Sequence, residues 1–294
     1  MKGVRRIVSL APSITEILFA LGLGERVVGV TALCDYPPEA RRKPKVGDAN
    51  INPERVVALK PDLVVAHELL NSRVIPVLRR LGLRVLSANP NTFEKLFAFI
   101  LQIGKAAGVP DRAEQLVHQM KARMRRVEQR VARTHARPRV LFVIGVEPLW
   151  ASGRDTFADN LIRRAGGQNA LGAQVQGFRA ISLETALACR PEVIVLAGPN
   201  RATLLNDPRW RTVPAVQRGQ VYEVNPDLYL RESPRLIDAL EQLAALLHPQ
   251  AHAERWDRGI RAGATFEHWR EASVYKDGDP PSTRVSLDWV PRLG

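Results

Sequence analysis

The sequence predicts an α/β protein built as two similar lobes, each on a mainly parallel sheet, joined by a long interdomain helix. Three observations predict this. Short apolar, β-branched runs alternate with helix-forming segments through residues 6–87, the order that produces parallel strands with crossover helices. A twelve-residue block that starts at Glu54 recurs at Glu184, at an offset of 130. Between the two copies, residues 92–135 read as nearly continuous helix.

Arg6-Ile-Val-Ser-Leu10 reads as a short buried strand, and Ile14 to Leu21 as an apolar-periodic helix closed by Gly22 and Gly24. Ser13 is the expected N-cap there, with Glu16 completing a capping box. Val27 to Thr31 reads as a second strand. Asp35-Tyr36-Pro37-Pro38 must be irregular, because two prolines suit neither a helix interior nor a ladder. Asn52-Pro53-Glu54 is a helix start in which Asn caps, Pro occupies the first turn and Glu complements the dipole. Lys60-Pro61-Asp62 then turns the chain into the strand Leu63 to Ala66. Val74 to Leu81 is helical, and Arg84 to Ser87 is a further strand.

Gly108-Val-Pro110 breaks the following helical stretch. Its second piece spans about 36 Å at ~1.5 Å per residue, long enough to bridge two bodies. Pro138 ends it, and Val140 to Gly145 opens a new strand. The repeat follows: Glu54 to Val65 matches Glu184 to Val195 position for position, including Lys60-Pro61-Asp62 against Arg190-Pro191-Glu192. Around it, Gly166-Gly167 closes a helix as Gly22 does, and Gln220 to Val224 answers the strand at Arg84. The expected partition is 1–91 for the first lobe, 92–137 for the helical connector, 138–248 for the second lobe and 249–294 for an extension of unassigned role.

The chain has 294 residues, 45% hydrophobic and 25% charged, the composition of an ordinary folded protein. No apolar run approaches the roughly 20 residues that cross a bilayer. Cys34 and Cys189 are too few for a disulfide framework or a four-cysteine zinc site. The formal charge of +13 comes mainly from 35 arginines against 8 lysines. The densest basic run, Lys121 to Arg139, holds one acid, Glu128. Few aromatics are interleaved with it, so a solvated helix is favoured over a polyanion site and no nucleic-acid partner is expected.

The motifs of several enzyme classes are missing. Gly22-Leu-Gly24 lacks a third glycine and falls at a helix end; no Walker loop, His-Glu-x-x-His, Cys-x-x-Cys or Gly-x-Ser-x-Gly occurs. The histidines show no ligand spacing. A binding protein needs none of these, and no catalytic residue is expected.

Arg6-Ile-Val-Ser-Leu-Ala-Pro12-Ser-Ile-Thr15-Glu16, Asp35-Tyr36-Pro37-Pro38 and Asn52-Pro53-Glu54-Arg-Val-Val-Ala-Leu-Lys60-Pro61-Asp62-Leu resemble the vitamin B12-binding proteins of ABC importers. So do Leu149-Trp150-Ala-Ser152-Gly153, Ile181-Ser182-Leu-Glu184 and Arg231-Glu-Ser233-Pro234-Arg235. The likeness covers about residues 4–248 and extends to the wider class of metal-chelate receptors with a helical backbone. It implies two Rossmann-like lobes, a rigid connector and a ligand cleft between them, holding cobalamin or a related corrinoid; the alternative is a ferric siderophore or haem. It also implies that Glu54 and Glu184 dock with arginines of an ABC permease, and that the protein acts as a monomer.

A corrinoid is a broad apolar disc with amide arms, so its site wants aromatic faces and a few polar anchors. The positions matched by the resemblance are Tyr36, His67, Trp150, Phe178, Tyr229 and Arg231. Trp150 is expected in a loop after a strand. His67 is also a candidate axial ligand to cobalt or iron; no other residue is expected to touch a metal. The segment Val46 to Asn50 is shorter than in the B12 proteins and lacks a tryptophan, which leaves the iron chelates open. The family location is extracytoplasmic. Met1 to Leu10 does not read as a secretory leader, so a cytoplasmic location is expected if the chain starts there. A cytoplasmic enzyme or nucleic-acid-associated protein on a borrowed scaffold is the reading from another class.

Overall fold

The computed structural model describes residues 3–252. The chain divides into two compact units, one built mainly from residues up to 121 and also containing residues 232–234, the other mainly from residue 122 onward. The expected extension falls mostly on residues 253–294, outside the described residues.

The first unit opens with β1 (Ile7–Ser9), α1 (Pro12–Ala20), β2 (Val27–Gly29), α2 (Pro53–Ala58), β3 (Leu63–His67), α3 (Ile75–Arg80) and β4 (Val85–Ala88). The four strands form one parallel sheet in the order β2-β1-β3-β4. β1 and β3 are buried along their whole length, so their continuous apolar runs are those of strands covered on both faces. Val8, Leu10, Val56, Val64, Ala66, Ile75 and Leu78 pack into one core.

The start of α1 departs from the sequence expectation. The helix begins at Pro12 with Ala11 as an uncapped N-cap residue. Proline fits the first helical position, where no N–H bond is lost, and this draws Ser13 into the first turn instead of before it. Thr15 does the local polar work: its hydroxyl donates to Ser9 Oγ at 2.8 Å and lies 3.1 Å from Cys34 Sγ. Burial raises the Cys34 thiol above its ordinary value.

Two helices follow, α4 (Phe93–Ala107), capped by Thr92, and α5 (Pro110–Val131). Gly108, at φ 74°, separates them; its missing Cβ suits a left-handed helix end. The break predicted at Gly108-Val-Pro110 is therefore present.

The second unit continues with β5 (Arg139–Val146), β6 (Leu149–Ser152), α6 (Phe157–Arg164), β7 (Gln168–Asn169), β8 (Phe178–Ala180), α7 (Leu183–Ala188), β9 (Val193–Ala197), α8 (Arg201–Leu205), α9 (Pro214–Gln217), β10 (Val221–Val224), α10 (Pro226–Tyr229) and α11 (Leu236–Leu247). Its sheet runs β10-β9-β5-β6-β8, with β7 paired to β5. β10, β9 and β5 are parallel, whereas β6 runs antiparallel to both β5 and β8. Leu141, Val143, Ile194, Leu196, Trp210 and Val221 lie in its core.

The sequence repeat corresponds to repeated local structure. Asn52 and Ser182 cap α2 and α7 by accepting from the N–H three residues on. Lys60 and Arg190 end the two helices in the left-handed region, at φ 45° and 43°. Each precedes a proline that stops the helix from continuing.

Candidate functional site

In an open parallel sheet, ligands collect beyond the carboxyl ends of the strands, where the strand order reverses. In the first unit that point lies between β1 and β3, because the chain leaves β1 for β2 on one side and returns to β3 on the other. The loops after these strands are tied together by Asn71. Its Oδ1 accepts from His67 N at 2.8 Å, and its Nδ2 donates to Leu10 O at 3.1 Å.

His67 is the last residue of β3 and only 4% exposed. Burial pushes its imidazole down to about 4, so the ring is neutral near pH 7. Nδ1 accepts from Leu70 N at 3.4 Å, which leaves the proton on Nε2. That Nε2 is buried without a hydrogen-bond partner and lies 4.0 Å from Glu232 Oε2. Burial pushes the Glu232 carboxyl up to about 7. The neighbouring Ser233 hydroxyl is also buried and unpartnered.

The loop after β3 exposes two leucines between the charged Glu68 and Arg73. Leu69 and Leu70, directly after β3, are exposed, as are Leu33 and Tyr36 beyond the carboxyl end of β2. The resemblance pointed to Tyr36 and His67 but not to Leu33, Leu69, Leu70, Asn71 or Glu232. Their only sequence signal is position, within a few residues of the end of an apolar strand or inside the Arg231 to Arg235 motif.

In the second unit, Trp150 is not in a loop. Glu147-Pro148 turns the chain immediately after β5, and Trp150 returns on β6, half-buried and opposite Gly145. Phe178, also half-buried, opens β8. Ser152 pairs with Phe178 and Trp150 with Ala180, so the two aromatics are diagonal neighbours on one sheet face. Tyr229 ends α10 fully buried, its ring centroid 6.4 Å from that of Phe142. That is a core position, and burial raises its phenol far above the ordinary value. Arg231 is held by Asp227, with Nη2 to Oδ1 at 2.7 Å.

Glu54 and Glu184 occupy equivalent places in the first turns of α2 and α7. Both are exposed. Glu184 has Arg209 Nη1 at 3.6 Å, and Asp207 holds the same guanidinium at 2.7 Å through Nη2. Among the described residues no group of three or more His, Cys, Asp or Glu is arranged to hold a metal ion, and no helix is long and apolar enough to cross a membrane.

Residues 7–228 match the family model described as periplasmic binding protein. The chain is 36% identical over 261 residues to an uncharacterized ABC transporter substrate-binding lipoprotein, YvrC, of Bacillus subtilis (strain 168), covering 86% of this chain and 83% of that protein. It is 30% identical over 245 residues to a vitamin B12-binding protein of Photorhabdus laumondii, covering 83% and 88%. Among solved structures, a periplasmic heme binding protein from Pseudomonas aeruginosa superposes with a TM-score of 0.76 at 30% identity, over 84% of this chain and 94% of that one. Two α/β lobes linked by long helices, and a family match over most of the chain, lead to one assignment: the chain belongs to the periplasmic binding protein family, among the class III substrate-binding proteins of ABC transporters.

Proposed function

We propose that this chain is the extracytoplasmic capture subunit of an ABC importer and that its cargo is a metal tetrapyrrole, with haem placed ahead of cobalamin. One observation carries the ligand class: a neutral, buried imidazole at the switch point of a parallel sheet, its Nε2 without a hydrogen-bond partner, followed directly in the chain by the exposed Leu69 and Leu70. A flat apolar macrocycle covers such a surface, and its central iron or cobalt would take His67 Nε2 in the other neutral tautomer, with the proton moved to Nδ1 and the long contact from Leu70 N given up. Trp150 and Phe178 supply further aromatic area, and Arg231 suits the carboxylate or amide arms. In this reading Tyr229 supports the site from the core without touching ligand.

Glu54 and Glu184 are proposed as the permease-docking acids, since the repeat sets both at the same helix turn. We further propose a monomer partitioned as 1–91, 92–137 and 138–248, with the role of 249–294 left open. Family and fold are those of non-catalytic binding proteins.

The test is a visible-absorption titration of purified protein with haemin, cyanocobalamin and a ferric hydroxamate siderophore. Haemin is expected to give a saturable shift of its main band at one equivalent, and His67→Ala to change the ligand-field bands of the complex. Saturable binding of cyanocobalamin alone would favour the second reading, which the 30% identity to a vitamin B12-binding protein supports. Binding of the siderophore alone would remove the tetrapyrrole assignment.

A further inference from the structure

The arginine excess is not evenly available to a partner. Arg6 and Arg139 are spent on helix-end carbonyls, donating to Leu59 O and Cys189 O. Arg26 donates to Ala107 O at 2.9 Å, and Arg112 to Leu21 O and Gly22 O, both at 3.4 Å. Arg123 is held by Asp238 and Glu241, and Arg164 by Glu128. Glu128 is the only acid between Lys121 and Arg139, so that salt bridge occupies the one carboxylate the segment carries.

Among the described arginines without such a partner, four form a stripe on α5 and its last turn. Arg125, Arg126 and Arg133 are exposed and Arg130 is half-buried; among the described residues none of the four guanidiniums has a hydrogen bond or ion pair. At about 100° per residue they cover an arc of roughly 140° on α5 and its last turn. Val117, Met120, Met124, Val127 and Val131 are buried and project from the opposite side of the same helix. The exposed Gln129 lies within the arc. Four guanidiniums thus stand along about 12 Å of one solvent-facing helix edge.

We infer that this edge of α5 docks the protein on an anionic phospholipid surface. The charge complementarity is direct, and guanidiniums bind phosphate oxygens through paired donors. The four arginines are not interleaved with an aromatic side chain that would stack on bases, which favours a lipid surface over nucleic acid. The choice of a membrane also rests on the importer reading, which places the protein beside one. Each arginine near an anionic surface is worth about a fivefold change in partitioning, and the four together roughly several hundredfold.

The experiment is co-sedimentation of the full chain, without any chelate, with vesicles of equal parts phosphatidylglycerol and phosphatidylcholine, compared with phosphatidylcholine alone. Wild type is expected to sediment only with the anionic vesicles, and less as salt rises. The variant Arg125→Gln/Arg126→Gln/Arg130→Gln/Arg133→Gln should lose this partitioning. A charge-matched control, Arg42→Gln/Arg73→Gln/Arg80→Gln/Arg211→Gln, alters exposed arginines elsewhere and should keep it. Thermal melts of both variants show whether each is folded.

Equal losses in the two variants would mean diffuse attraction by net charge and would overturn the assignment. So would failure of wild type to sediment, or retention by duplex DNA at a salt concentration where vesicles do not bind. Because no chelate is present, a failed ligand titration leaves the vesicle result standing, and failed sedimentation leaves the ligand reading untouched.

Discussion

Arg6 donates from Nε and Nη2 to the carbonyl oxygen of Leu59, at 2.9 and 2.8 Å, closing the end of α2 from the strand that begins beside it. The second unit repeats the device: Arg139 donates to Cys189 O at 3.1 and 2.7 Å. In each unit an acid completes the corner. Asp62 Oδ2 accepts from Arg5 N and Arg6 N, and Glu192 Oε2 accepts from Arg139 N. A helix C-terminus carries unsatisfied carbonyls and a negative dipole end, so a guanidinium is a suitable partner on both counts.

Removing that partner should therefore destabilise the unit that holds it. Arg6→Ala and Arg139→Ala are each expected to lower unfolding free energy by about 1–3 kcal/mol, read from urea denaturation. Arg6→Lys should recover less than half, because an ammonium cannot reproduce the two-pronged contact. A destabilisation no larger than that of an exposed Arg73→Ala control would argue against the cap.

The left-handed backbone at Lys60 gives a test of opposite sign. A side chain at φ 45° meets a steric penalty that glycine escapes, of about 1 kcal/mol. Lys60→Gly should leave the folded state at least as stable as wild type, after allowing for the greater freedom glycine has when unfolded. Leu59→Gly, one residue earlier at the helix end, should be clearly destabilising. Equal losses at both positions would contradict the conformational account.

The His67–Glu232 contact predicts how stability follows pH. Glu232 rises from 4.5 to about 7 in the fold, so its contribution is present in full below pH ~4.5 and lost as pH climbs through 7. His67 falls from 6.5 to about 4. The folded state must therefore be paid to accept its proton, and stability declines as pH drops from 6.5 through 4. Glu232→Gln should raise the urea midpoint at pH 8 and flatten its slope between pH 5 and 7. His67→Gln should flatten the acid limb instead. A Glu232→Gln variant with an unaltered slope would show that the carboxyl titrates normally.

Docking and capture should separate by mutation. Glu54→Ala and Glu184→Ala are expected to leave chelate affinity unchanged while lowering import, and stimulation of the importer ATPase, by tenfold or more. The Glu184 variant also frees Arg209 from one of its two acids, so the charge-preserving Glu184→Asp serves as its control. Loss of chelate binding in either variant would place these residues in the capture site.

Much of the architecture was legible in the chain itself. The strand at Leu63 to Ala66, the cap at Asn52, the helix break at Gly108 and the duplication at Glu184 depend on local chemistry: β-branched runs, a side-chain acceptor, a left-handed glycine and a proline. Each is settled within a few residues, so sequence order alone specifies it. Misreadings arose where two local signals competed. At α1 the N-cap signal of Ser13 lost to Pro12, which fits the first turn better. At Trp150 a strand-then-loop pattern concealed a tight Glu147-Pro148 turn that sends the chain back as β6.

Only the folded chain decided which residues meet at long sequence separation. Nothing near His67 announces Glu232, and no periodicity says that Tyr229 goes into the core against Phe142 while Tyr36 stays exposed. Likewise, composition gives 35 arginines, but only tertiary structure shows which of the described ones close helix ends or pair with acids and which, like the four along α5, do neither. The physical reason is the same throughout. Backbone preference acts over one turn or one strand, whereas desolvation and charge pairing depend on neighbours that folding alone brings within a few ångströms.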